Sequence, residues 1–113
     1  MSEFTYLFRG GFVSASPEQM QKTMEKWLAW REELAAKGHI KDLGIPLEGT
    51  GKVVQGSKRV VNDGPYAETK DIINGFMLIE AEDLPHAVEI AKTCPILDGG
   101  GSVEVRPIAK LSR

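Results

Sequence analysis

The chain has little thiol or imidazole to work with. Its 113 residues include one cysteine, Cys94, and two histidines, His39 and His86. A single cysteine excludes an intramolecular disulfide, and so few Cys and His exclude a thiolate-rich zinc site. Two separated histidines do not suggest a metal centre of another kind. There is no excess of positive charge: 14 basic residues face 16 acidic ones, for a net charge of -2. A protein built around nucleic acid needs a basic surface to neutralise phosphates, so no direct nucleic-acid binding is expected. No long hydrophobic run is present. The opening "MSEFTYLFRGG" lacks a charged region followed by an apolar stretch, and no segment approaches the length of a membrane span. The expectation is a cytoplasmic protein without a membrane partner. The "GGG" at 99–101 lacks the strand–turn–helix setting of a phosphate loop, and no cofactor is expected. No repeat, low-complexity tract or linker divides the chain.

What is present suits one domain over residues 1–113. A chain of this length buries roughly two thirds of its unfolded surface, enough for one modest core. Phe4 to Arg9 is rich in aromatic residues and reads as a first strand. The first helix has a clear start: Ser16 to cap, Pro17 at the first helical position, and Gln19 to complete a capping box. Gly38 suits its left-handed end. Helical spacing predicts an inner face of Met20, Met24, Trp27, Leu28, Leu34 and Ala35, with Trp30 at its edge. Arg31 lies near the middle of that stripe. Its guanidinium cannot lose its charge. Either its stem packs while its head reaches water, or it meets a carboxylate in a cleft.

"HIKDLGIPLEG" reads as irregular and strand-like. "KVV" and "RVV" form a hairpin around Gln55–Lys58, and "GFMLIEA" at 75–81 is the strongest strand. A second helix is predicted from Asp83 to Pro95, with Leu84, Ala87, Val88 and Ala91 inward and His86 outward. "SVEVRPI" at 102–108 is the last strand. The order β-α-β-β-(β)-α-β predicts an α+β ferredoxin-like sandwich. In the strong strand, Phe76 and Leu78 face one way and Met77 and Ile79 the other, and all four are apolar. Two helices cover one face only. The second face then calls for a partner, and a homodimer through it is the economical answer.

Chemistry concentrates in "NDGPYAETKD", residues 62–71. Pro65 and Tyr66 suit the centre of a β-turn. Asp63 can accept hydrogen bonds from backbone N–H groups two residues on, as in an Asx turn. Loops on a rigid scaffold are where ligand groups usually sit, so Asp63, Tyr66 and Glu68 are candidate binding residues, with Trp30 and Arg31 beside them. Cys94, at a helix C-terminus, reads as a packing residue rather than a nucleophile.

The same stretch resembles the D-G-P-F-A-E-T-K-E motif of the DGPF proteins, a subgroup of the YCII-related domain family. Here Tyr66 stands for the usual Phe and Asp71 for the usual Glu. The flanking "INGFMLIEAEDLPHAVEIA" and "GGGSVEVRP" extend the resemblance over nearly the whole chain. It implies a ferredoxin-like fold and a dimeric α/β barrel. It also implies, by analogy, an association with extracytoplasmic-function sigma factors. A more distant branch, which includes a dehydrochlorinase, is thought to use a His–Asp pair. This chain carries Lys26 and Trp27 near the expected His and Cys94 before Pro95 near the expected Asp. That mechanism does not transfer.

Three functions are therefore compatible with the sequence. The first is a dimeric binding or accessory protein holding a small organic ligand between the sheet and the first helix. The second is a small lyase or isomerase with Asp63 or Glu68 as general base and His39 as proton carrier. The third is a regulatory module bound to a sigma factor.

Overall fold

The computed structural model describes residues 1–10, 16–64 and 71–110. In chain order its elements are β1 (Ser2–Arg9), α1 (Pro17–Ala36), β2 (Ile40–Asp42), β3 (Gly51–Gln55), β4 (Val60–Gly64), β5 (Ile73–Ala81), α2 (Leu84–Ala91), a 3-10 helix (Pro95–Gly99) and β6 (Ser102–Pro107).

Alternation drives the main sheet. β1 places Phe4, Tyr6 and Phe8 on one side, and β5 places Met77, Ile79 and Ala81 there; all six are buried. The four strands run in the order β2-β5-β1-β6, and every neighbouring pair is antiparallel. With β3 and β4 set aside as a separate hairpin, this is the ferredoxin-like order expected from the sequence.

α1 begins as its sequence dictates. Ser16 accepts from the Gln19 backbone N–H, and the Gln19 side chain accepts from the Ser16 N–H. It ends in a Schellman arrangement: His39 N–H donates to Leu34 O, with Gly38 at φ +76°. The helix spans about 30 Å at 1.5 Å per residue, but only Trp30 and Leu34 are buried. Met20, Met24, Leu28 and Ala35, expected inside, are exposed. The stripe is apolar as read, yet the covered face is narrower and is centred on Trp30 and Leu34.

α2 shows a smaller difference. Ala87, Ile90 and Ala91 are buried, whereas Leu84 and Val88, expected inward, are exposed. Eight residues that are apolar on most sides leave spacing unable to choose a face. The Tyr6 hydroxyl makes the choice by donating to the Ala87 carbonyl at 2.5 Å. The helix also stops at Ala91, before Pro95, and the chain re-forms as the 3-10 helix.

The other sheet face carries Leu7, Phe76 and Leu78, all half-buried. Ion pairs frame it: Glu3 with Lys41 at 3.2 Å and Arg9 with Glu104 at 2.7 Å. The β3–β4 hairpin turns at Gly56–Arg59, and its main contacts among the described residues run between its own two strands. It gives the molecule a flat outline, 49 × 47 × 19 Å. The radius of gyration of 15.8 Å compares with about 13 Å for a compact chain of this length.

Candidate functional site

A cleft of about 310 Å³ lies between α1 and the main sheet. Met24, Trp27 and Arg31 form its helical wall; they recur at spacings of three and four, so one face of α1 presents all three. Phe8 and Ile96 line its inner side, and residues 74–77 of β5 form its floor. The remaining wall is the segment Leu43–Pro46.

That segment reads as irregular in sequence, but backbone bonds hold it against β5. Gly44 N–H donates to the Asp42 carboxylate at 2.7 Å, which makes an Asx-type turn. Leu47 N–H donates to Asn74 O at 2.7 Å, Phe76 N–H donates to Ile45 O at 3.4 Å, and Pro46 bridges Gly75. Gly44, at φ +66°, sits so close to β5 that an added Cβ would lie 1.7 Å from Phe76 O. The wall is thus backbone laid on backbone.

Trp27 and Arg31 are the polar groups of interest. The Trp27 indole N–H and the Arg31 Nε are both sealed from solvent, and neither has a hydrogen-bond partner among the described residues. Buried donors are nearly always satisfied, so each orphan needs an explanation. Among the described residues, no carboxylate pairs with Arg31, and the cleft lining contains no Asp, Glu, Lys or His. Of the two sequence expectations for Arg31, the carboxylate partner is absent among the described residues; the side chain is half-buried at the cleft with its Nε sealed. Trp27 falls on the predicted inner face, four residues before Arg31, so its spacing from Arg31 is visible in the sequence.

The other candidates lie elsewhere. Trp30 is buried in the core and donates its indole N–H to Thr93 Oγ1 at 2.7 Å. Thr93 in turn donates to Ile90 O at 2.6 Å. Asp63 is on β4, well exposed, and paired with Lys52 across the hairpin. The expected Asx turn needs an N–H two residues on, and Pro65 there has none; the residues that would close such a turn lie outside the described ones. Tyr66 and Glu68 lie outside the described residues.

His39 stands at the far end of β5, its Nδ1 3.0 Å from Glu80 O. His86, expected in solvent, is half-buried and edge-on to His39, with ring centroids 5.3 Å apart. Its Nδ1 accepts from Glu82 N–H at 3.1 Å, which bends the ring back over the start of α2. Neither imidazole lines the cleft. Cys94 is buried, and its burial pushes the thiol up to about 12. It remains a neutral thiol at physiological pH, in keeping with a packing role. Burial likewise pushes the Tyr6 phenol upward. No group of three or more potential metal ligands occurs among the described residues, and no described helix is long and apolar enough to cross a membrane.

Comparison with known proteins bears on the whole chain. The model of the YCII-related domain matches residues 6–112. An uncharacterised protein of Rhizobium meliloti (strain 1021) is 43% identical over 51 residues. That match takes in 44% of this chain and 41% of the relative, well under two thirds of the relative's length. Among solved structures, 5-chloro-2-hydroxyhydroquinone dehydrochlorinase from Burkholderia phenoliruptrix AC1100, in complex with 2,5-dihydroxybenzoquinone, superposes with a TM-score of 0.51. It is 20% identical, and the match covers 92% of this chain and 90% of that one. At that identity the likeness is one of fold.

Proposed function

The chain belongs to the YCII-related domain family, and from that premise we propose that it is a small-molecule-binding protein whose cleft beneath α1 takes a flat ring compound. The observation that carries this reading is the cleft itself. Its volume of about 310 Å³ falls at the lower end of ordinary ligand pockets. Phe8, Met24 and Trp27 supply apolar and aromatic surface, and the backbone at Leu43–Pro46 closes one side. Aromatic walls favour flat ring ligands that can lie against them. The dehydrochlorinase of similar fold is bound to a small quinone, which supports the same class of ligand here. Binding is preferred over acid–base catalysis because Asp63 and His39 lie outside the cleft lining.

A thermal-shift titration with planar aromatic and quinonoid probes tests the reading. Saturating probe at a hundred times its Kd is expected to stabilise the fold by about 2.7 kcal/mol, with quenching of Trp27 fluorescence. No shift with any planar probe, against an unchanged Trp27 signal, would remove the proposal.

The protein acts, in this reading, as a homodimer through the sheet face that bears Leu7, Phe76 and Leu78. Half-buried apolar residues ringed by ion pairs suit an interface with a dry centre and a polar rim. The hairpin supports a second copy as well. An isolated two-stranded hairpin is marginal in water, yet Val54 and Val61 stand opposite each other on it, 65% and 61% exposed. Sedimentation at micromolar concentration is expected to report a dimer. Leu78→Glu, which places a charge at the centre of the face, is expected to give a monomer. A wild-type monomer would overturn the proposal.

A further inference from the structure

The cleft contains a combination that apolar ligand pockets do not need. Two buried donors face it from successive turns of one helix, and one of them carries a fixed positive charge. A water molecule can satisfy an indole N–H, whereas Arg31, half-buried with its Nε sealed, presents a fixed positive charge that no carboxylate of the cleft lining opposes. An anion complements such a charge, because charge-assisted hydrogen bonds are stronger than the neutral bonds a water would make. The nearby Asn74 adds no negative charge, and its amide is already committed to Gly10 O at 2.9 Å. The remaining lining is Met, Phe, Trp, Leu, Ile, Pro and Gly.

Given the binding role proposed above, we infer that the cleft selects planar monoanions, with the ligand's acidic oxygens meeting Arg31 and the Trp27 N–H and its ring lying against Phe8 and Met24. The acidic group is a carboxylate or an enolate; both present oxygen acceptors in the ring plane, where two donors from one helix face can share them. Charge-assisted bonds of this kind are about twice as strong as neutral ones. The donors are left orphaned only while no anion is present.

The experiment compares 2-naphthoate with 2-naphthamide, two rings of the same shape that differ in charge. Binding is followed by tryptophan fluorescence and by the ¹H–¹⁵N resonances of the two indoles. Wild-type protein is expected to bind the acid at least tenfold more tightly than the amide. The Trp27 indole resonance should shift on binding, while that of Trp30, already bonded to Thr93, stays in place. Arg31→Met is expected to erase the preference for the acid, and Arg31→Lys to restore part of it. Trp27→Phe keeps the ring and removes the N–H, and is expected to weaken the acid more than the amide. Its retained aromatic packing makes it the safer variant should Arg31→Met fold poorly. Equal binding of acid and amide by wild-type protein would overturn this inference while leaving the cleft a ligand site. Absence of binding by both would overturn the cleft reading and this inference together.

Discussion

Gly44→Ala is expected to unfold the cleft wall at a cost of about 3 kcal/mol or more, in the range set by steric and backbone-strain lesions. Two penalties combine. The left-handed backbone at φ +66° disfavours any side chain, by roughly 1–2 kcal/mol. The added Cβ would also meet Phe76 O at 1.7 Å, a distance at which the two backbones must part. Gly38→Ala is the matched control. Gly38 has nearly the same dihedral, φ +76°, but nothing lies within 4 Å of its Cβ position. Only the strain should be felt there, and the loss should stay near 1–2 kcal/mol. Urea denaturation of both variants measures the difference, which reports the close approach alone. Equal losses would mean that Leu43–Pro46 does not rest on β5 as described. Because the same segment walls the cleft, Gly44→Ala should also lose probe binding, and Gly38→Ala should keep it.

Trp30→Ala carries the second large effect. Trp30 stacks with Tyr6 at 6.4 Å and meets Phe8 and Trp27 edge-on, at 6.4 and 5.5 Å. Truncating it opens a cavity among the largest side chains of the core. It also removes the link from α1 to Thr93, beyond the end of α2. A loss of about 3–5 kcal/mol is expected, as for buried aromatic truncations in general. That is a large share of the 5–15 kcal/mol that holds a typical domain. Trp27→Ala, at the half-exposed wall of the cleft, should cost less than half as much. Chemical denaturation of the two variants decides the matter. A larger loss at Trp27 would show that the core centres on the cleft rather than on Trp30.

The two tryptophans show what could and could not be read in the sequence. Capping chemistry at Ser16 and Gln19, the terminator at Gly38 and the alternation in β1 and β5 are local signals, and local bonds realise them. The sheet order followed from the succession of elements. The side of α1 that packs did not, because spacing shows where apolar residues cluster and not how far the sheet beneath extends. Met20, Met24 and Leu28 belong to a genuine apolar stripe, but they stay exposed, with Met24 over the cleft rather than packed on the sheet. The segment "LGIP" was opaque for a different reason: its contacts with β5 are made by backbone atoms, which leave little mark on residue type beyond Gly44 itself. The meeting of His39 with His86 depends on tertiary packing between two helix ends, 47 residues apart in the chain. Arg31 stands out in the sequence as a charge within an apolar stripe, and it lines the cleft, but its spacing alone left open whether its head met water or a carboxylate.

The β3–β4 hairpin leaves and rejoins the chain at one place, for Gly51 and Gly64 are paired neighbours at its base. Strands pair about 4.8 Å apart, so the gap a deletion would leave is no wider than an ordinary chain connection. The hairpin is therefore a detachable cassette. Its length and tip can be exchanged by an engineer without redrawing the four-stranded sheet or the groove under α1.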